Sequence, residues 1–197
     1  RMSKSLGTGI DPMTLIEKYG ADATRFGLIW QAMGSQDIHW SEEHVVAGRK
    51  FCNKILNASR FILMNKPPLI DADLTRGLTR IKNLTAADKK IILELQKTQK
   101  DINSQIEKYA FGQALHKIYD FFWHDFCDKY IEESKKQLAD EKFKKSTGEI
   151  LIYILFSSLK LLHPFMPFIT EEIYQQLPIR RGSGQAKNKN LLMIEKW

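Results

Sequence analysis

Apolar positions along this chain recur every three or four residues, which is the period of helices. Asp11-Pro12 is placed as an N-cap followed by proline at the first helical position. Leu15 to Phe26 then gives one short helix, a stop at Gly20 and a second helix. After Ser41, a good N-cap, Val45, Cys52, Ile55, Ser59 and Ile62 with Val46, Leu56 and Leu63 make an apolar stripe that ends before Lys66-Pro67-Pro68. The opposite face of that helix carries Arg49, Lys50, Asn53, Lys54, Asn57 and Arg60. Residues 66–84 read as a linker. Thr85 then caps a helix with Asp88 in the place of a capping-box acid, and Ile91, Ile92, Leu95, Ile102 and Ile106 point inward.

Tyr109 to Gly112 breaks that helix, and the next runs through Leu115, Ile118, Tyr119, Phe122, Phe126 and Tyr130 to about Leu138. Lys142 to Gly148 precede a strongly apolar helix, Ile150 to Leu162. Pro164 and Pro167 introduce a last short helix, which Pro178 ends. Residues 179–190 read as flexible, and Leu191 to Ile194 can add a short strand. The pattern predicts an all-α protein, with residues 41–177 forming a bundle in which Phe122, Phe126, Ile152, Leu155 and Leu159 are buried together.

Composition narrows the class. With 197 residues, 43% of them apolar, the chain can bury a sizeable core. No apolar run approaches a membrane span, and no signal-peptide pattern stands at the start. Two cysteines, Cys52 and Cys127, make no disulfide framework, so a cytoplasmic setting is expected. The net charge of +7 points toward a polyanionic partner. Arg180, Arg181, Lys187 and Lys189 lie in a stretch without acids, and Lys135, Lys136, Lys142, Lys144 and Lys145 form a second cluster. Such clusters serve equally as solvated surface or as phosphate contacts.

Several chemistries fail on spacing. Glu171 and Glu172 are adjacent, so on a helix they diverge and cannot share a substrate. His124 and Cys127 could present two metal ligands, but no paired motif supplies the rest, so no metal site is expected. No sharp nucleophile turn surrounds a serine. Lys4-Ser5 precedes the glycines Gly7 and Gly9, the wrong order for a P-loop. Asp22 and Arg25, three apart, read as a helix-surface pair worth a few tenths of a kcal/mol. The aromatic stretch Tyr119 to Tyr130 could stack on bases, but at helical spacing it reads as core, as do Trp40 and Trp123.

The chain opens on Arg1-Met2-Ser3-Lys4-Ser5. A basic-Met-Ser-Lys-Ser run resembles the mobile loop that closes over ATP in class I aminoacyl-tRNA synthetases. Gly34 to Glu43, Gly48 to Phe61, Phe122-Trp123 with Phe126-Cys127-Asp128, and Leu162 to Glu172 look most like the valyl-tRNA synthetases. The matches run from residue 1 to about residue 177 in that family's order. Arg1 stands where lysine is usual, Lys50 where asparagine is usual and Leu56 where tryptophan is usual.

The resemblance implies a C-terminal piece. Residues 1–40 would be the signature loop and a helical segment lying along the inner side of tRNA, 41–178 the anticodon-binding bundle, and 179–197 a basic tail. Lys4 would be the catalytic residue of the parent enzyme, acting on charge that develops on the triphosphate, with Arg1, Met2, Ser3 and Ser5 completing the ATP loop. ATP with Mg as counter-ion, valine and tRNA(Val) would be its partners. None of His39, His44, His116, His124 and His163 forms the His-x-Gly-His element of the ATP clamp, so the piece alone is expected to be inactive, and monomeric. Arg49, Lys50, Asn53, Lys54, Asn57 and Arg60 are the candidate tRNA contacts, because arginine and lysine hold phosphates and asparagine can read base edges. The equivalent piece of an isoleucyl or leucyl enzyme, and a free-standing helical interaction module, remain alternatives.

Overall fold

The computed structural model describes residues 9–34, 38, 40–65, 70–71, 81, 83–180 and 191–192. Helix α1 is Pro12–Tyr19 and α2 is Ala21–Trp30, with Gly20 at φ 92° between them. Asp11 caps α1 by accepting from the Met13 N–H at 2.9 Å, as the Asp-Pro pair predicts. Helix α3 is Glu43–Met64, and the Ser41 hydroxyl accepts from the Glu43 N–H at 3.3 Å at its start. Helix α4, Ala86–Glu107, begins in the predicted capping box: Thr85 Oγ1 accepts from the Asp88 N–H at 3.2 Å, and the Asp88 carboxylate accepts from the Thr85 N–H at 2.8 Å.

Tyr109, at φ 58°, breaks the chain away from α4. A continuous rod follows: α5 (Phe111–Asp120), an eleven-residue π-helical segment (Phe121–Ile131) and α6 (Glu132–Ala139). The helical pattern did not predict the π winding. Phe122, Phe126 and Tyr130, four residues apart, form one inward row there, with neighbouring ring centroids 5.4 and 6.3 Å apart.

Helix α7 is Glu141–Leu162 and starts nine positions before the predicted Ile150. Asp140 caps it, accepting from the Lys142 N–H at 2.9 Å, and Ser146 and Thr147 turn inward instead of forming a loop. Its second half is buried almost all round, as an axial helix must be. Helix α8 is Pro167–Gln176. The tail contributes a strand, but not where Leu191 to Ile194 suggested. Ile179–Arg180 (β2) pairs in parallel with Ile70–Asp71 (β1), inside the segment read as linker. Leu191 is not in a strand, Leu192 lies in a single 3₁₀ turn, and residues 193 and 194 lie outside the described set, as do the tail residues 181–190.

The core is one cluster built from α2 onward, and the buried Leu15 of α1 lies outside it. Phe122, Phe126, Ile152, Leu155 and Leu159 are all fully buried in it, and so is Phe26 of α2. Helices α2 and α3 cross at glycines. A Cβ on Gly27 would stand 2.8 Å from the Val45 nitrogen, and one on Gly48 would stand 2.8 Å from the Ala23 carbonyl oxygen. Neither backbone partner can swing aside as a side chain can.

Asp22 and Arg25 are not the surface pair their spacing suggested. Asp22 is buried, and its carboxylate accepts from the N–H groups of Phe168 at 3.3 Å and Ile169 at 2.7 Å, which are orphan donors in the first turn of α8. Arg25 donates to the carbonyls of Pro164 at 2.8 Å and Phe165 at 3.1 Å, just past the end of α7. The acid meets the positive end of one helix and the base the negative end of the other, so both charges complement the helix dipoles.

Candidate nucleic-acid interface

The candidate interface is the outer face of α3. Residues at i, i+3, i+7 and i+10 share one side of a helix. Lys50, Asn53, Asn57 and Arg60 have that spacing, and all four are exposed. None of them makes a hydrogen bond or ion pair to another described residue. They offer two cations and two amides to solvent.

The two other candidates on this helix are held at its flanks. Arg49 donates to the Lys18 carbonyl at 3.1 Å, at the last turn of α1, where a cation offsets the negative end of the dipole. Beside it, Glu42 accepts from Lys18 at 2.9 Å and from the Tyr19 hydroxyl, and these two hydrogen bonds hold its carboxyl below the usual range. Lys54 lies on the other flank. It pairs with Asp128 of the π segment at 2.8 Å and sits 4.9 Å above the Trp123 ring, within cation–π range. The Lys54 hydrogen bond, helped by His124 at 3.3 Å, holds the Asp128 carboxyl below its ordinary value.

Lys54 therefore ties the stripe to a ledge of half-exposed rings. Trp30, His116, Tyr119 and Trp123 are all partly accessible. His116 stacks on Trp30 at 3.5 Å between centroids, and Tyr119 on Trp123 at 5.4 Å. The inner edges of Tyr119 and Trp123 contact Phe51, so the core reading of these aromatics holds for one side of each ring only. Their accessible edges were not legible from helical spacing. Trp40 is also partly buried.

His124 and Cys127 do not converge. Cys127 is buried in the core while His124 is exposed against Asp128, and no group of three or more metal-ligating side chains occurs among the described residues. Burial pushes the thiols of both Cys52 and Cys127 up to about 12, far from the range of a reactive thiolate. Of the positive clusters, Lys135, Lys136 and Lys144 are paired with Glu132, Glu133 and Glu141. Arg181, Lys187 and Lys189 lie outside the described residues, as do Arg1, Met2, Ser3, Lys4 and Ser5. No described helix is long and apolar enough to cross a membrane.

A helical bundle whose first long helix presents cations and amides beside partly accessible rings offers the groups that single-stranded RNA can take up. Comparison with known proteins makes the class definite. The profile of the family described as "Anticodon-binding domain of tRNA ligase" matches residues 88–197, more than half of the chain, and the chain belongs to that family. Residues 1–41 match the profile of class I tRNA synthetases of the I, L, M and V group.

The individual relatives are valine–tRNA ligases. The Bacillus cereus enzyme is 49% identical over 180 residues, 90% of this chain, and the Thermotoga maritima enzyme is 45% identical over all 197 residues. The chain spans about a fifth of the length of these curated relatives (20% and 21%). Among solved structures, a LeuRS from a ternary complex with tRNA and LeuAMS of Agrobacterium radiobacter has a TM-score of 0.69 at 22% identity, covering 100% of this chain and 21% of that one. Methionyl-tRNA synthetase of Mycobacterium tuberculosis has a TM-score of 0.68 at 20% identity, covering 89% of this chain and 35% of that one. These likenesses establish the shared fold.

Proposed function

We propose that the chain is the tRNA-anticodon-binding portion of a cytoplasmic valine–tRNA ligase, and that the exposed stripe of α3 meets the anticodon loop of tRNA(Val). The observation that carries this reading is the stripe itself: Lys50, Asn53, Asn57 and Arg60 exposed in one row, with no partner among the described residues, beside the Trp123 and Tyr119 rings. Unpaired bases expose edges that amides can pair with and faces that rings can stack on, while flanking phosphates suit Lys50 and Arg60. Arg49 and Lys54 flank the stripe as further candidate phosphate contacts, each also held by a partner within the protein. The fold neighbour from Agrobacterium radiobacter, in complex with tRNA, is consistent with this use of the fold.

In the complete enzyme, valine and ATP would be the other substrates. Lys4, with Ser3, Ser5, Met2 and Arg1 shaping the loop, would supply a cation to the triphosphate and its Mg counter-ion as pyrophosphate departs. The chain by itself would then bind tRNA without catalysing ligation.

The test is a titration of the chain with the anticodon stem-loop of a valine tRNA and with a loop-swapped version of equal stem. A preference for the valine loop is expected, and Asn53→Ala with Asn57→Ala should narrow it by roughly tenfold to a hundredfold, as loss of base-edge contacts does. Equal affinity for both loops in the unaltered chain would refute anticodon reading by this face.

A further inference from the structure

We propose that the solvent face of α4 is a second RNA-binding surface, one that holds the phosphate backbone of a base-paired stem. The proposal rests on the reading that the chain binds tRNA. The outward arc of α4 carries Lys89, Leu93, Gln96, Lys97, Lys100 and Asn103, all exposed, and even Leu93 is 64% exposed. Between Lys89 and Asn103 that arc holds no acid, and the exposed Glu107 stands one turn beyond it. Glu94 and Asp101 lie on its flank and are partly buried.

The contrast with the other helices is what gives the arc meaning. On the rod and on α7, four lysines are matched by carboxylates one turn away, and others such as Lys117 and Lys145 are not: Lys129 pairs with Asp125 at 2.7 Å, Lys135 with Glu132 at 2.7 Å, Lys136 with Glu133 at 3.1 Å and Lys144 with Glu141 at 2.7 Å. Lys89, Lys97 and Lys100 make no ion pair with a described residue, although Glu94 and Asp101 stand at helical spacings from Lys97. No contact ion pair ties down these three ammonium groups along roughly 16 Å of helix, at ~1.5 Å per residue. An unpaired row of this kind attracts a polyanion.

The arc also differs from the α3 face in what it lacks. It has no aromatic ring on which an unpaired base could stack. A straight row of ammonium groups recognises a regular phosphate backbone without reading sequence. The 111–139 rod packs against both α3 and α4, so the two faces are separate, and one surface can take the loop while the other takes a stem.

The probe is a blunt RNA duplex without a loop, bound to the 197-residue chain over a KCl series. Binding is expected to weaken with salt. Replacing Lys89, Lys97 and Lys100 together by glutamine should lower the log–log slope by about 2 to 3, and a triple arginine variant should keep it. Equivalently, each lost contact removes about 3.5-fold of the affinity change between 50 and 200 mM salt. Lys50→Gln with Arg60→Gln should weaken the stem-loop and leave the duplex unaffected. All these side chains are exposed, and unchanged helical circular dichroism checks the fold. A duplex slope unchanged by the glutamine triple overturns the proposal while the α3 reading stands. If the triple instead loses only binding to polyglutamate, the arc is a protein-docking surface and the proposal also fails. No binding of either RNA by the unaltered chain removes both readings together.

Discussion

The carboxylate of Asp22 accepts the backbone N–H of Ile169 at 2.7 Å, across 147 residues of chain. It thereby joins α2 to α8, the last described helix. Burial raises the Asp22 pKa, and the two backbone donors only partly offset this. Asp22→Ala leaves two amides of α8 without a protein acceptor and should cost about 1–3 kcal/mol. Asp22→Asn, which keeps an acceptor oxygen, should cost less than half as much. Urea unfolding of the three proteins measures this, and equal stabilities would show that water satisfies the α8 amides.

Tyr130→Phe addresses a second buried carboxylate. Asp88 is fully buried and accepts from the Tyr130 hydroxyl at 2.7 Å, and burial beside this acid raises the phenol well above its ordinary value. The network continues from Thr85 to Gln137 at 3.0 Å and from Gln137 to Thr147 at 2.9 Å, binding α4, α6 and α7. Removing this donor leaves a buried acceptor one hydrogen bond short and should cost about 1–3 kcal/mol. A midpoint shift in denaturant without change of slope is the expected signature.

His163 should make the bundle acid-sensitive. Its Nδ1 lies 2.8 Å from Thr170 Oγ1, which donates its own proton to the Met166 carbonyl, so the ring donates through Nδ1–H. Burial lowers its pKa in the folded state, against the raising influence of Glu171 and Asp22. The unfolded chain therefore binds a proton more readily, and stability is present above about pH 6.5 and falls as pH drops through the folded value. His163→Gln should flatten that part of the stability–pH curve. Parallel curves for the two proteins would rule out His163 as the titrating group.

If Lys4 has the proposed role, Lys4→Ala in a complete valine–tRNA ligase should slow ATP–pyrophosphate exchange roughly a hundredfold or more while leaving tRNA affinity nearly intact, since its ammonium would act on charge that develops in the transition state. Lys4→Arg should rescue only in part, because the planar guanidinium copies a point charge poorly. Near-normal exchange by the alanine variant would show that Lys4 does not perform this role.

Local rules made much of the molecule readable. The Asp11-Pro12 start, the Thr85–Asp88 capping box and the apolar rows of Phe122, Phe126, Ile152, Leu155 and Leu159 are each set by neighbours within a few turns. What spacing could not show was settled by distant partners. Asp22 and Arg25 look like an ordinary i, i+3 pair until the α7–α8 corner arrives beside them. Lys54 looks equivalent to Lys50 until Asp128 and Trp123 claim it. The start of α7 was misplaced because Ser146 and Thr147 resemble loop residues, yet their hydroxyls bond to Phe143 and Gln137 and let them be buried.

Gly27 and Gly48 set how closely α2 and α3 cross, and with Phe26 in the common interior they make the two stretches one packing unit. The match to the catalytic family stops at residue 41, within a few positions of this crossing. Exchange of gene segments at that point would bring together an α2 and an α3 that had not diverged in step. A single added methyl group on either side would hold the helices apart. Recombination between related enzymes is therefore disfavoured here, and α2 is expected to keep the ancestry of the bundle it packs on.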